Sequence, residues 1–239
     1  MNINQVECTN CMQYMQSIEN ESVNLICTDP PYEISYDNLD WDRSGQIDWN
    51  YVAINFKRIL NSQGNLIIFQ GWTNVGDIKV IFESHGFILM NWIIYDRIKG
   101  RGAKRNFTST REDILWFVKS TEYTFNKEFS TIKKKTAGMG LKNGNEFRSL
   151  SNVWTDISPI VPWSSERVTH PTQKPIKLGN RLIRIFSNKG DLVLDPFCGS
   201  GTFLISAKDL ERDYIGCDIN QEYVDMTNLR LSKINHEFF

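Results

Sequence analysis

The sequence predicts an α/β fold, a doubly wound sheet whose strands alternate with helices. Three observations predict it. Short runs rich in Val, Ile, Leu and Phe alternate with amphipathic helical stretches, the order expected of βαβ units. Two of the apolar runs, "VNLICT" at 23–28 and "DLVLD" at 191–195, stop at loops that bear a carboxylate and proline. At 239 residues, with 41% hydrophobic and 23% charged side chains, the chain is long enough for one large domain with a substantial core.

In chain order, a strand at 4–9 and a helix at 11–19 precede the apolar strand 23–28. A helix at 48–61 leads into a strand at 64–70, which contains "NLIIFQ". A helix at 73–84 leads to strands at 87–96 and 111–119. Segment 127–165 fits neither the helical nor the strand period and is expected to be an insertion outside the core. The helix at 175–188 starts at Pro175, presents Leu178, Leu182, Ile185 and Phe186 on one face, and stops before Gly190. A strand at 191–196, a helix at 201–211, a strand at 213–218 and a helix at 220–234 complete the pattern.

The net charge is −1, which by itself does not suggest a nucleic-acid partner. The distribution does. Residues 97–148 hold 13 Lys and Arg against 5 Asp and Glu, while the rest of the chain holds 14 basic and 23 acidic residues. Such asymmetry predicts one basic working face on an acidic body. No apolar stretch reaches the roughly 20 residues a membrane span needs, and the N-terminus carries no signal-peptide pattern. Five cysteines without an export signal are expected to be reduced thiols in the cytoplasm. Cys8-x-x-Cys11 has no second pair at metal spacing, and His85, His170 and His236 form no ligand set, so no metal is expected.

Two motifs occupy equivalent places at strand ends. Asp29-Pro30-Pro31-Tyr32 follows one apolar strand; Asp195 to Thr202, "DPFCGSGT", follows another. In doubly wound sheets ligands bind beyond the carboxyl ends of the strands, so adjacent central strands would bring the motifs together. The glycine loop is not a Walker loop, because no Gly-Lys-Ser/Thr follows, and the last Gly of G-x-G-x-x-G would fall at Leu204. Asp218, at the end of the next strand, can accept hydrogen bonds from ribose hydroxyls, and the combination favours an adenosyl cofactor. The two prolines cannot donate to a ladder. The Asp29 carboxylate and a proline carbonyl thus form two acceptors side by side, suited to an exocyclic amino group with two donors. Tyr32 supplies a face on which a planar base can stack.

With "HPTQKP" at His170–Pro175 added, these motifs resemble the amino-methyltransferases of DNA, which use S-adenosylmethionine. Their order resembles the β class of permuted bacterial and phage adenine methyltransferases. That resemblance implies a mostly parallel seven-stranded sheet with helices on both faces and one antiparallel strand. It implies that Gly199, Ser200 and Gly201, followed by Thr202, approach the methionine part of the cofactor, with Asp195 and Phe197 lining that pocket. Asp218 would hold the ribose, and Thr172 and Lys174 the methionine carboxylate. Where the family usually carries Gly-Asp, near the cofactor adenine, this chain has Thr9-Asn10, and Asn10 can still make hydrogen bonds there. Phe203 stands where a second threonine is common.

The implied chemistry is methylation of adenine N6. Hydrogen bonds from the amino group to Asp29 and the Pro30 carbonyl would localise the nitrogen lone pair, and positioning would do much of the rest. The target base would have to leave the duplex. The stretch 36–49 would close over it, with Trp41 and Trp49 as wedges. Segment 127–165, with Lys133, Lys134 and Lys135, would recognise double-stranded DNA. Cytosine-N4 and RNA adenine methylation stay open, as does a catalytically silent DNA-binding subunit, although Asp29 and the glycine loop are intact. Cytosine-C5 chemistry needs a nucleophilic cysteine, usually after proline, and no Pro-Cys pair occurs. A restriction–modification system is the expected setting; whether the chain forms a homodimer and has a cognate restriction endonuclease stays open.

Overall fold

The structure, a computed structural model, describes residues 2–33, 45–101, 105, 107–133 and 147–234. Its elements are β1 (Gln5–Cys8), α1 (Cys11–Gln16), β2 (Val23–Thr28), α2 (Trp49–Ile59), β3 (Leu60–Gln70), α3 (Val75–Ser84), β4 (Ile88–Arg101) and β5 (Ser109–Val118). Then come a 3-10 turn at Lys127–Phe129, β6 (Thr131–Lys133), β7 (Phe147–Ser149), β8 (Val153–Trp154) and α4 (Ile176–Phe186). The chain continues through β9 (Leu192–Asp195), α5 (Thr202–Asp209), β10 (Asp213–Asp218) and α6 (Gln221–Ser232).

The main sheet runs β1-β10-β9-β2-β3-β5-β4-β8. It has eight strands, one more than expected. The addition, β8, is two residues long and pairs parallel with β4 through Ile94↔Val153 and Tyr95↔Trp154. A strand that short has no alternation to read. Strand β5 runs antiparallel to both of its neighbours, β3 and β4, and the other pairings in the sheet are parallel. Strands β6 and β7 form a separate antiparallel ribbon.

Alternation along the strands feeds two cores. Ile67, Phe69 and Val193 pack with Leu178, Leu182, Phe186, Phe203 and Leu231 on the side of α4, α5 and α6. Leu66, Ile68, Leu194 and Ile215 pack with Met15, Phe56 and Phe82 on the side of α1, α2 and α3. Most of these side chains are fully buried, and at about 25 cal/mol per Å² of apolar surface such burial is the main force closing both faces. Segment 127–165 is not wholly outside the core, because Trp154 and Ile157 are buried on the α4 side. Arg181 of α4 fixes this stretch, with its guanidinium over the Trp154 ring and an ion pair to Asp156.

Candidate active site

Strands β2 and β9 are neighbours, paired through Leu25↔Val193 and Ile26↔Leu194. From β2 the chain proceeds to β3 on one side; from β9 it proceeds to β10 on the other. The crevice between them is a topological switch point, where loops diverge and leave room for a ligand. A cavity of about 1000 Å³ opens there. Asn10, the tetrapeptide Asp29–Tyr32, Thr172, Lys174, Asp195, Phe197, Gly199, Ser200, Thr202 and Asp218 all line it. The structure therefore gathers residues from opposite ends of the chain around one space. Gly201 and Lys133 do not line it. Lys134, Lys135 and Trp41 lie outside the described residues.

At the β9 end, Asp195 is 1% exposed. Its Oδ1 accepts from the Thr28 hydroxyl at 2.7 Å and from the Phe197 amide at 3.2 Å. Burial outweighs these bonds and raises the carboxyl to about 7. The loop that follows turns through Gly199 at φ +48° and Gly201 at φ +75°. At Gly199 a Cβ would stand 2.7 Å from His170 Nε2, and at Gly201 one would stand 2.4 Å from Thr227 Cγ2. Both positions thus favour glycine in conformation, and a side chain at either would force its neighbour to shift. Asp218 holds the loop from β10: its Oδ2 accepts from the Gly199 amide at 2.9 Å and its Oδ1 from the Asn220 amide at 2.9 Å. Burial raises the Asp218 pKa. From α6, the Thr227 hydroxyl donates to the Gly199 carbonyl at 2.9 Å, and Arg230 donates to the Ser200 carbonyl. Asn10 caps α1, its Oδ1 accepting from the Met12 amide at 2.9 Å.

At the β2 end, the Tyr32 hydroxyl donates to Asp29 Oδ1 at 2.7 Å, and the Lys174 ammonium donates to Asp29 Oδ2. The Lys174 ammonium sits on Asp29, and its carbonyl turns to the loop, accepting from the Thr202 hydroxyl at 2.9 Å. A buried ammonium settles on the carboxylates within reach, because leaving it unpaired is costly. Burial lowers the Lys174 pKa, but Asp29 and then Glu112 outweigh it and hold it above the ordinary value. The ring of Tyr32 lies against Gly71, where a Cβ would come within 3.2 Å of Tyr32 Cδ2, and Asn74 donates to the Tyr32 carbonyl at 2.6 Å. Burial and then Asp29 push the Tyr32 phenol well above its usual range. Trp49 is not free to act as a wedge: it begins α2, donates to Glu33 at 3.1 Å and packs on the core.

Sequence reading missed Glu112, Arg97 and the role of Thr28. Glu112 Oε2 lies 3.4 Å from Lys174 Nζ, and Arg97 donates to Glu112 Oε1 at 3.3 Å. Burial raises the Glu112 pKa. The available signal was the charged triplet Arg111-Glu112-Asp113 placed directly before the apolar run Ile114–Val118 of β5. Because β5 is antiparallel, its first residues share an edge with the last residues of β2 and β9.

A family model described as DNA methylase matches residues 23–229. The Type II methyltransferase M1.MboII of Moraxella bovis is 36% identical to this chain, across 98% of each. The DNA adenine methyltransferase YhdJ of Escherichia coli is 36% identical, across 93% of this chain and 80% of its own. Among solved structures, the M1.HpyAVI-SAM complex superposes with a TM-score of 0.65 at 26% identity, across 95% of this chain and 99% of its own. The cytosine-N4-specific PvuII DNA methyltransferase superposes with a TM-score of 0.76, across 100% of this chain and 92% of its own. At 18% identity that likeness concerns the fold alone.

Proposed function

This chain belongs to the DNA methylase family, and on that premise we propose that it is an enzyme of the permuted β class that methylates the N6 amino group of adenine in double-stranded DNA, within a restriction–modification system. The observation that carries this reading is the convergence of Asp29-Pro-Pro-Tyr and the glycine loop on one cavity. S-adenosylmethionine is the cofactor, and it supplies an electrophilic sulfonium methyl group. The loop fits it: Gly199 and Ser200 line the cavity, and a glycine carries no side chain to keep a ligand from the backbone. Asp218 spends one acceptor direction of each oxygen on loop amides and keeps others for ribose hydroxyls. Gly199, Ser200, Gly201 and Thr202 form the methionine side, Asp195 and Phe197 its wall, Thr172 its carboxylate side, and Asn10 the adenine side.

Asp29 and the Pro30 carbonyl accept the two N6 hydrogens of a flipped-out base, and Tyr32 stacks on it. Adenine is favoured over cytosine because Asp29 stands where cytosine-N4 enzymes tend to carry Ser. YhdJ, at 36% identity, bears the name of an adenine enzyme. Segment 127–165, with Lys133, Lys134 and Lys135, meets the DNA phosphates. The protein acts in the cytoplasm of a bacterial or phage-infected cell. Methylation-sensitive sequencing of DNA from cells expressing the protein tests this reading. N6-methyladenine in one sequence context is expected; N4-methylcytosine, or methylation confined to RNA, overturns it.

A further inference from the structure

Asp29 ends a line of four alternating charges. Lys174 meets its Oδ2, Glu112 Oε2 stands 3.4 Å beyond the Lys174 ammonium, and Arg97 lies 3.3 Å from Glu112 Oε1. Lys174 and Glu112 are buried, at 6% and 7% exposure. The Tyr32 hydroxyl occupies the other Asp29 oxygen at 2.7 Å. Before any base arrives, both oxygens of the carboxylate assigned to the target amino group are therefore engaged.

The ammonium opposes the proposed chemistry. Attack on a sulfonium methyl moves positive charge onto the exocyclic nitrogen. A cation bound to Asp29 cancels the negative charge that would stabilise this and repels the nitrogen as the charge grows. Lys174 has to come off Asp29 without becoming an unpaired buried charge, a state that is strongly disfavoured. The structure holds a receiver. Glu112 Oε2 already lies within ion-pair range of Lys174 Nζ and has no other partner among the described residues. Arg97 engages the opposite oxygen, Oε1, and leaves Oε2 to Lys174.

We propose that Glu112 is a positioning residue: it takes over the Lys174 ammonium when the target amino group enters, and so frees Asp29 for the base. This rests on the proposed function only in that an exocyclic amino group is the acceptor, whether on adenine or on cytosine.

The test is a double-mutant cycle with Glu112→Gln and Lys174→Met, read as kcat and KM for duplex DNA with labelled S-adenosylmethionine. Cofactor affinity is measured by calorimetry in parallel. Glu112→Gln should lower kcat by at least about tenfold, with cofactor affinity within about twofold of wild type. In the Lys174→Met background no ammonium needs holding, so adding Glu112→Gln should change kcat by less than about twofold. Equal losses in both backgrounds, or a Glu112→Gln enzyme with wild-type kcat, overturn the proposal. If Lys174→Met turns over too slowly to measure, Glu112→Asp decides. It keeps the charge and should recover part of the kcat lost in Glu112→Gln, and equal rates for the two variants overturn the proposal. Product analysis of the wild-type reaction separately reports which base is methylated, so a wrong base identity is not confused with a wrong role for Glu112.

Discussion

Thr28 and Asp195, 167 residues apart in the chain, share a hydrogen bond of 2.7 Å at the ends of two neighbouring parallel strands. It ties the strand carrying the Asp29 motif to the strand carrying the glycine loop, and both residues are buried. Thr28→Val keeps the shape and removes the donor. Among the described residues, the Asp195 carboxylate would then retain only the longer bond from Phe197. Loss of such a buried bond costs about 1–3 kcal/mol. A lower urea midpoint at unchanged m is expected; an unaltered midpoint would mean the bond contributes nothing.

Asp195 also predicts a pH dependence. Burial raises its folded pKa to about 7, above the unfolded carboxylate value of about 3.9. Between these values the native state binds more protons than the unfolded chain, so this group's contribution to stability falls as pH rises from about 4 through 7. Asp195→Asn cannot ionise and escapes that fall. Thermal melts from pH 5 to 8 should show the variant gaining on wild type with rising pH, by an amount on the order of a few kcal/mol at most. Parallel curves would contradict the buried, ionising Asp195.

Two glycines give a controlled comparison. Gly199 has φ +48°, and a Cβ there would strike His170 Nε2 at 2.7 Å; Gly190 has φ +79° with nothing within 4 Å. Both alanine variants carry the cost of a left-handed backbone, about 1 kcal/mol. Only Gly199→Ala also reshapes the cofactor loop. Calorimetry should show S-adenosylmethionine affinity falling about tenfold or more in Gly199→Ala and unchanged in Gly190→Ala. Equal affinities would remove the loop from the cofactor site.

Much of this arrangement was legible in the sequence. Strands Val23–Thr28 and Asp213–Asp218 fall at the expected residues, the first because Pro30 and Pro31 cannot extend a ladder. Strand β3 begins at Leu60 rather than at 64, because its pairing with β2 passes through an irregularity between Val23/Leu60 and Leu25/Asn65. A bulge of this kind has no period to detect. Strands β6, β7 and β8 are two or three residues long and escape for the same reason. The contact between Lys174 and Glu112 was invisible on different grounds. It depends on the antiparallel direction of β5 and on the sheet order, neither of which local sequence encodes. The likeness to amino-methyltransferases named Lys174 as a site residue, but its partner emerges only when the sheet is assembled.

The basic segment carries its own prediction. Lys133 lies on β6 of the small ribbon, and Lys134 and Lys135 follow it outside the described residues. If the three meet phosphates, changing all of them to Ala should weaken duplex binding and reduce the log–log salt slope by roughly one unit per lost contact. Fluorescence anisotropy across a salt series checks this, with S-adenosylmethionine affinity expected to stay the same. An unaltered slope would take this run out of the DNA interface.

In the proposed reaction Asp29 acts on the base amino group, while the loop Gly199–Thr202 and Asp218 hold the cofactor. Transfer of tritium from labelled S-adenosylmethionine to duplex DNA, followed by separation of the nucleosides, tests it most directly when wild type and Asp29→Ala are compared. Wild type should place the label in N6-methyladenine. Asp29→Ala should place none there while binding the cofactor within a few-fold of wild type. Retained turnover in Asp29→Ala, or label recovered in cytosine, would contradict it.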